Sequence, residues 1–171
     1  MTPDVIALEE FGAMPEPVAI ELLLTCCSSP AWARAVAARR PYASVEAVFA
    51  AADAALAELP ENELDKALAG HPRIGTRSGD ASARREQAGV TAADHDVLAA
   101  LAAWNREYEA TFGHVYLVRA TGRSGSELLE ILLTRLRNDP ATERRIVRGE
   151  LAQINRIRLR RLFGADPGES R

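Results

Sequence analysis

Only one run in this 171-residue chain reads as a β-strand, Val115-Tyr116-Leu117-Val118. A lone strand has no neighbour to complete its hydrogen-bond ladder, so the run is expected as an extended, buried segment in an otherwise helical protein. The rest of the chain agrees. Val45, Val48, Phe49, Ala52 and Leu56 recur at helical spacing behind Ser44, a good N-cap. Alanine, leucine and arginine dominate and β-branched runs are few, which favours helix. The expected fold is an all-α bundle of about eight or nine helices. It should form a single domain over residues 1–171, with 165–171 as a flexible tail.

Punctuation places the helices. Glu16 to Cys26 reads as a buried first helix that includes the Cys26-Cys27 pair near its end. Ser29-Pro30 starts a second helix and Pro41 stops it. Pro60 opens a short helix closed by Gly70, and His71 to Asp80 is a loop. Ala81 to Ala88 supplies one or two turns ended by Gly89. Thr91 with Asp94 resembles a capping pair for a long helix ended by Gly113. Ser124 with Glu127 forms a capping box, and Asp139-Pro140 starts a last helix running to about Phe163.

Several function classes are disfavoured. The N-terminus lacks a basic start and an apolar block, so no signal peptide is expected. No apolar run approaches the roughly 18 residues that cross a bilayer, so no membrane partner is expected. Two adjacent cysteines without CxxC spacing fit a reduced, cytoplasmic setting. The three histidines include no His-x-x-x-His pair, so no metal site is expected. Residues 135–171 carry ten basic and five acidic groups, a net of +5 against -8 elsewhere. Aromatics are not interleaved with them and no binding motif is present, so a solvated helix or one end of a dimer interface is expected rather than a nucleic-acid partner.

The residues with chemistry lie in two places. His71-Pro72-Arg73-Ile74-Gly75 is followed, after a polar stretch, by Glu86-Gln87. An imidazole titrates near neutrality and a carboxylate can tune it, which is the minimal kit for moving one proton. A His-Pro pair is also common as a plain turn. The second place is the last helix, where Val147, Leu151, Ile154 and Leu162 form a stripe that Arg158 completes. Arg158 is therefore expected to face inward, while Arg156 and Arg160 point elsewhere, toward solvent. A buried guanidinium needs an internal acid or a bound anion, and both readings stay open from the pattern alone.

With these residues in hand, the chain resembles the decarboxylase family that acts on 2-oxo-4-hydroxy-4-carboxy-5-ureidoimidazoline (OHCU) in urate breakdown. The resemblance rests on Cys26-Cys27-Ser28 with Trp32, Arg40-Pro41-Tyr42, His71 to Gly75 and Glu86-Gln87-Ala88-Gly89. Phe112-Gly113, Asn138-Asp139-Pro140 and Ile157-Arg158-Leu159 extend it toward the C-terminus. It implies an all-helical homodimer without metal or organic cofactor. The implied reaction is loss of carbon dioxide from a small anionic substrate and protonation on one face to give (S)-allantoin.

The same resemblance makes His71 the catalytic histidine and Glu86 its partner carboxylate. It assigns substrate contact to Pro72, Ala83, Arg84, Gln87 and Arg158. The Tyr116, Leu117, Val118, Arg119 and Ala120 stretch would touch the ligand partly through its backbone. Ala83 departs from the family, which commonly has serine there, with Ser82 one residue earlier. A lost hydrogen bond of this kind is worth about 0.5–1.5 kcal/mol. The alternatives are a related enzyme for another small carboxylated heterocycle, or a non-catalytic helical interaction module.

Overall fold

The structure is a computed structural model and describes residues 5–75, 81–91 and 93–164. The expected tail at 165–171 and the second half of the 71–80 loop lie outside the described residues. Ten helices and no strand occur among the described residues, so the all-α expectation holds with a slightly higher helix number. No helix is long and apolar enough to cross a membrane. The chain divides into two compact units. One combines the stretch ending at Ala67 with the stretch from Ala152 onward, and the other is Leu68–Leu151.

The first unit contains α1 (Leu8–Ala13), α2 (Glu16–Leu24), α3 (Pro30–Ala38), α4 (Val45–Ala57) and most of α5 (Glu61–Ala69). The C-terminal part of α10 (Pro140–Leu162) completes it. Ser29 Oγ accepts from Trp32 N at 3.2 Å and Ser44 Oγ from Ala47 N at 3.1 Å, so α3 and α4 begin at the caps expected from sequence. Trp32 is fully buried and its indole donates to Ala52 O at 3.0 Å, which pins α3 to α4 and leaves no donor stranded.

Several elements of this unit differ from expectation. Helix α1 has six residues, too few to show periodicity, and buries only Phe11. Its exit is held by Arg40, whose Nη1 donates to Phe11 O at 2.8 Å and Met14 O at 2.7 Å. Helix α2 ends at Leu24 and buries only Ala19 and Leu23, so it is less enclosed than its composition suggested. Cys26 and Cys27 lie in the turn after it, buried and unbridged. Arg156 is paired with Asp53, and Arg156 and Arg160 both lie over the Phe49 ring, so neither simply projects into water.

The second unit holds α6 (Ala81–Glu86), α7 (Ala88–Thr91), α8 (His95–Phe112), α9 (Gly125–Arg135) and the start of α10. Ile74, Val90, Leu101, Tyr108, Tyr116, Val118, Leu128 and Leu132 form its core. Helix α8 begins at His95 because Thr91 belongs to α7, three residues upstream of Asp94. Gly89 does not end a helix. A Cβ there would meet Arg123 O at 2.4 Å, so the glycine admits a neighbouring backbone. Gly113 does end α8, with φ of +78°. Ser124 caps α9 by accepting from Glu127 N at 3.2 Å, and Asp139 caps α10 by accepting from Thr142 N at 2.8 Å.

Residues 115–120 form the non-helical, buried segment that the lone strand-like run led us to expect. In place of a ladder, side chains hold it. Arg135 Nη1 donates to Leu117 O at 2.6 Å while its Nε donates to Glu143 Oε1 at 2.6 Å. Tyr108 donates to the same Glu143 oxygen at 2.5 Å, and Asn138 Nδ2 to its Oε2 at 3.1 Å. Arg135 is 4% exposed and Glu143 0%. Burial opposes the Arg135 charge, but the hydrogen bond and charge of Glu143 outweigh it and its pKa is raised.

Burial also raises the Tyr108 and Tyr116 phenols, reinforced at Tyr108 by the hydrogen bond to Glu143 and opposed at both by Arg135. Burial raises Tyr42 as well. A phenol whose folded pKa exceeds its unfolded value of about 10 stabilises the fold fully below that pH and loses the effect above it. Stability should therefore fall above about pH 10. Tyrosinate absorbance should rise together with loss of helical circular dichroism. Ordinary titration of the tyrosines in a still-helical protein would contradict this.

Candidate active site

The His-Pro loop follows α5 directly. His71 N donates to Leu68 O at 3.0 Å, extending the last helical turn, and the His71 and Pro72 side chains are half-buried. Three side chains then fasten the loop. Arg73 forms a two-pronged pair with Glu109 on α8, at 2.7 Å and 3.0 Å. Asn105, also on α8, donates from Nδ2 to Ile74 O at 3.0 Å. Gly75, with φ of +88°, donates its N–H to Gln87 Oε1 at 2.9 Å. That last bond joins the two sequence motifs, twelve residues apart.

Helix α6 turns Ala83 and Glu86 inward, and Gln87 in the turn after it follows the same face, its N–H donating to Ala83 O. Glu86 is 7% exposed and Gln87 6%. A carboxylate this enclosed is set apart from ordinary surface acids, which are rarely buried without a role. Ala83 brings no hydroxyl to that face, while Ser82 beside it is half-buried and Arg84 is exposed. Tyr116, Leu117, Val118 and Ala120 are buried and Arg119 is half-buried. Two side chains hold the backbone between them: Arg135 at Leu117 O, and Glu150 Oε2 at Arg119 N, 2.7 Å away.

His71, Pro72, Ala83, Arg84, Glu86, Gln87 and the 116–120 segment thus belong to one compact unit, and Arg158 to the other. Arg158 is 9% exposed, the inward position expected from the stripe. Its Nη1 donates to Cys26 O at 3.1 Å. Leu159 rather than Leu162 is the fully enclosed neighbour, because 3.6 residues per turn lets an inward face drift along a long helix. Beside Arg158, burial raises the Cys27 thiol pKa, opposed by the Ser29 backbone, the Asn155 side chain and the Arg158 charge. No group of three or more candidate metal ligands occurs among the described residues.

Sequence reasoning missed Asn105, Arg135, Glu143 and Glu150. Two carried a readable signal. Asn105 stands between Leu101 and Tyr108 on the apolar face of α8, and Glu143 stands four residues before Val147 on the stripe that exposed Arg158. Nothing local distinguishes Glu150 from a solvated acid.

The fold is all-α, and within its second unit the half-buried His71 loop is tied to the turn that carries the buried Gln87 beside Glu86. The chain belongs to the OHCU decarboxylase family, whose sequence profile matches residues 12–160. Among curated relatives it is 29% identical over 153 residues to the mouse 2-oxo-4-hydroxy-4-carboxy-5-ureidoimidazoline decarboxylase, covering 83% of this chain and 84% of that one. The Amia calva protein of the same name is 28% identical over 137 residues, covering 76% of this chain and 78% of that one. An Arabidopsis thaliana relative, the uric acid degradation bifunctional protein TTL, is 27% identical over 146 residues. That match covers 81% of this chain but only 45% of the longer relative.

Solved structures agree. An OHCU decarboxylase crystallised in the presence of (S)-allantoin superposes with a TM-score of 0.73 at 25% identity, covering 82% of this chain and 96% of that one. An (S)-allantoin synthase superposes with a TM-score of 0.71 at 14% identity, covering 90% of this chain and 52% of that one, and shows the shared fold.

If Gln87 fastens the His-Pro loop, Gln87→Ala should release the Gly75 amide at a cost of about 0.5–1.5 kcal/mol. Amide hydrogen exchange at Gly75 should quicken while most of α8 stays protected. Unchanged exchange at Gly75 would show that the bond does not hold the loop.

Proposed function

We propose that the protein is a carboxy-lyase that converts OHCU to (S)-allantoin in urate degradation without a metal or organic cofactor. Membership of the family over residues 12–160 and the likeness to named OHCU decarboxylases support the reaction. The observation that carries the reading to this chain is the Gly75 N–H bond to Gln87, which joins the His71 loop to the helix bearing Glu86.

The chemistry asks little of the protein beyond placement. As the bond from C4 to the carboxylate breaks, its electron pair forms a C4=C5 double bond, the C5=N1 π pair moves onto N1, which takes a proton, and the ring is left as an enol at the 4-hydroxyl. A proton then adds at C5, the 4-hydroxyl becomes a carbonyl, and C5 becomes the stereocentre. The enol is flat and in water takes a proton from either side. An enzyme gives one enantiomer by delivering that proton to one face.

In this reading His71 exchanges the proton with the substrate hydroxyl or reacting carbon, and Glu86 orients and charge-balances the imidazole. Gln87 has its Oε1 committed to Gly75 and offers Nε2 to the ring. Pro72, Ala83 and Arg84 shape the pocket and the 116–120 backbone meets the amide-like edges, while the role of Arg158, an anion partner, comes from the family resemblance alone. The low exposure of Glu86 and Gln87 supports their roles. Ala83 supports a second reading, in which the preferred heterocycle has one acceptor fewer than OHCU.

The protein is also taken to be a cytoplasmic homodimer. The family resemblance supports the dimer, and the two buried thiols of Cys26 and Cys27 support a reducing compartment. Sedimentation at twice the 18.5 kDa chain mass would bear out the dimer, and sedimentation at the single-chain mass would contradict it.

The mechanism is tested by following OHCU decay in the ultraviolet with wild type and His71→Ala. General acid-base help of this kind contributes roughly 10²–10⁴-fold, so His71→Ala should lose about that much in kcat while remaining helical. A His71→Ala protein with wild-type kcat would remove His71 from the mechanism.

A further inference from the structure

We propose that Glu150 is a positioning residue for this reaction, setting the ligand-facing edge of the 116–120 segment by holding the Arg119 amide from behind. The inference rests on the decarboxylase reading, which gives that segment its contact with the ligand.

The segment is buried and has no strand beside it among the described residues, so its backbone groups must find other partners. Two of them are visible. Leu117 O accepts from Arg135 at 2.6 Å, and Arg119 N donates to Glu150 at 2.7 Å. In an extended chain the backbone groups of residues i and i+2 point to one edge, and those of the residue between point to the other. Leu117 and Arg119 therefore share the edge served by α9 and α10, where a guanidinium and a carboxylate replace the missing strand. An extended run held by these two bonds on one edge turns the Val118 N–H and C=O to the opposite edge. A donor and an acceptor side by side match an amide or ureido group, which OHCU and allantoin both carry.

The two holding groups differ in consequence. Arg135 is bound into the core with Glu143 and Tyr108, so its loss disturbs the fold as well as the segment. Glu150 is half-buried on the surface of α10. Its bond to a backbone N–H is charge-assisted and fixes one peptide plane, the one preceding Arg119, which also carries the Val118 carbonyl. Releasing that plane lets the Val118 acceptor rotate away from the ureido group that substrate and product share, which weakens the binding of both.

Steady-state kinetics with OHCU and (S)-allantoin binding, measured on Glu150→Ala and Glu150→Gln, test the proposal. Ureido recognition is common to substrate and product, so Glu150→Ala should raise KM and the allantoin dissociation constant together, by roughly 10-fold or more, and change kcat less. Glu150→Gln keeps an acceptor oxygen at the same reach and should recover most of the affinity. Wild-type KM and allantoin affinity in Glu150→Ala, beside a normally active wild type, would overturn the positioning role and leave the decarboxylase reading intact. A wild type that neither turns over OHCU nor binds allantoin would remove both. Should Glu150→Ala not fold, amide exchange at Arg119 in the wild type replaces it. Slow exchange supports the bond, and exchange as fast as in a solvent-exposed amide overturns it.

Discussion

Arg135 and Glu143 form a fully enclosed ion pair that serves a stretch of chain neither of them belongs to. Their unit contains a buried run with strand-forming residues and no second strand to satisfy it. Helices cannot lend backbone groups to such a run, since theirs are used internally. The solution is a side-chain scaffold. Arg135 binds Leu117 O, Glu143 neutralises Arg135, and Tyr108 and Asn138 occupy the remaining carboxylate positions. The Arg135 guanidinium also lies over the Tyr116 and Tyr108 rings, which offer their electron-rich faces to it. A buried pair of this kind adds little net stability when whole, but removing one member costs about 3–5 kcal/mol. Against a total of about 5–15 kcal/mol for a folded domain, that is a large share of the stability.

The same arrangement links stability to function. Segment 116–120, which the proposed function sets against the ligand, is held by side chains of α9 and α10 at Leu117 O and Arg119 N. The His71 loop is treated alike: Asn105, Glu109 and Gln87 tie down its backbone and its arginine. Both stretches lack regular secondary structure yet are fixed by named hydrogen bonds from helices. Irregular backbone held by a rigid frame is what binding and catalysis usually require.

How much of this was legible in the sequence depended on the range of the interaction. Caps are local, and Ser29, Ser44, Ser124 and Asp139 sit where their spacing put them. Periodicity is nearly local, and it turned Arg158 inward correctly while misjudging Leu162, since the stripe drifts. The same rule applied upstream would have found Glu143. Gly89 failed because its reason lies in Arg123, more than thirty residues away, and a glycine looks the same as a helix stop or as a close approach. Glu150 failed for a like reason: its partner is a backbone amide, which carries no residue identity. The His71 loop and Glu86-Gln87 were visible as chemistry, and the bond between them became visible only in three dimensions.

Loss of carbon dioxide from OHCU needs no unusual catalyst, because the ring itself accepts the electrons. What a protein adds is speed through one placed proton and a choice of face. The most direct test follows circular dichroism while OHCU, generated from urate by the upstream oxidase and hydrolase, decays with and without the protein. The account predicts accelerated formation of (S)-allantoin as a single enantiomer. Decay at the spontaneous rate to racemic allantoin would contradict it.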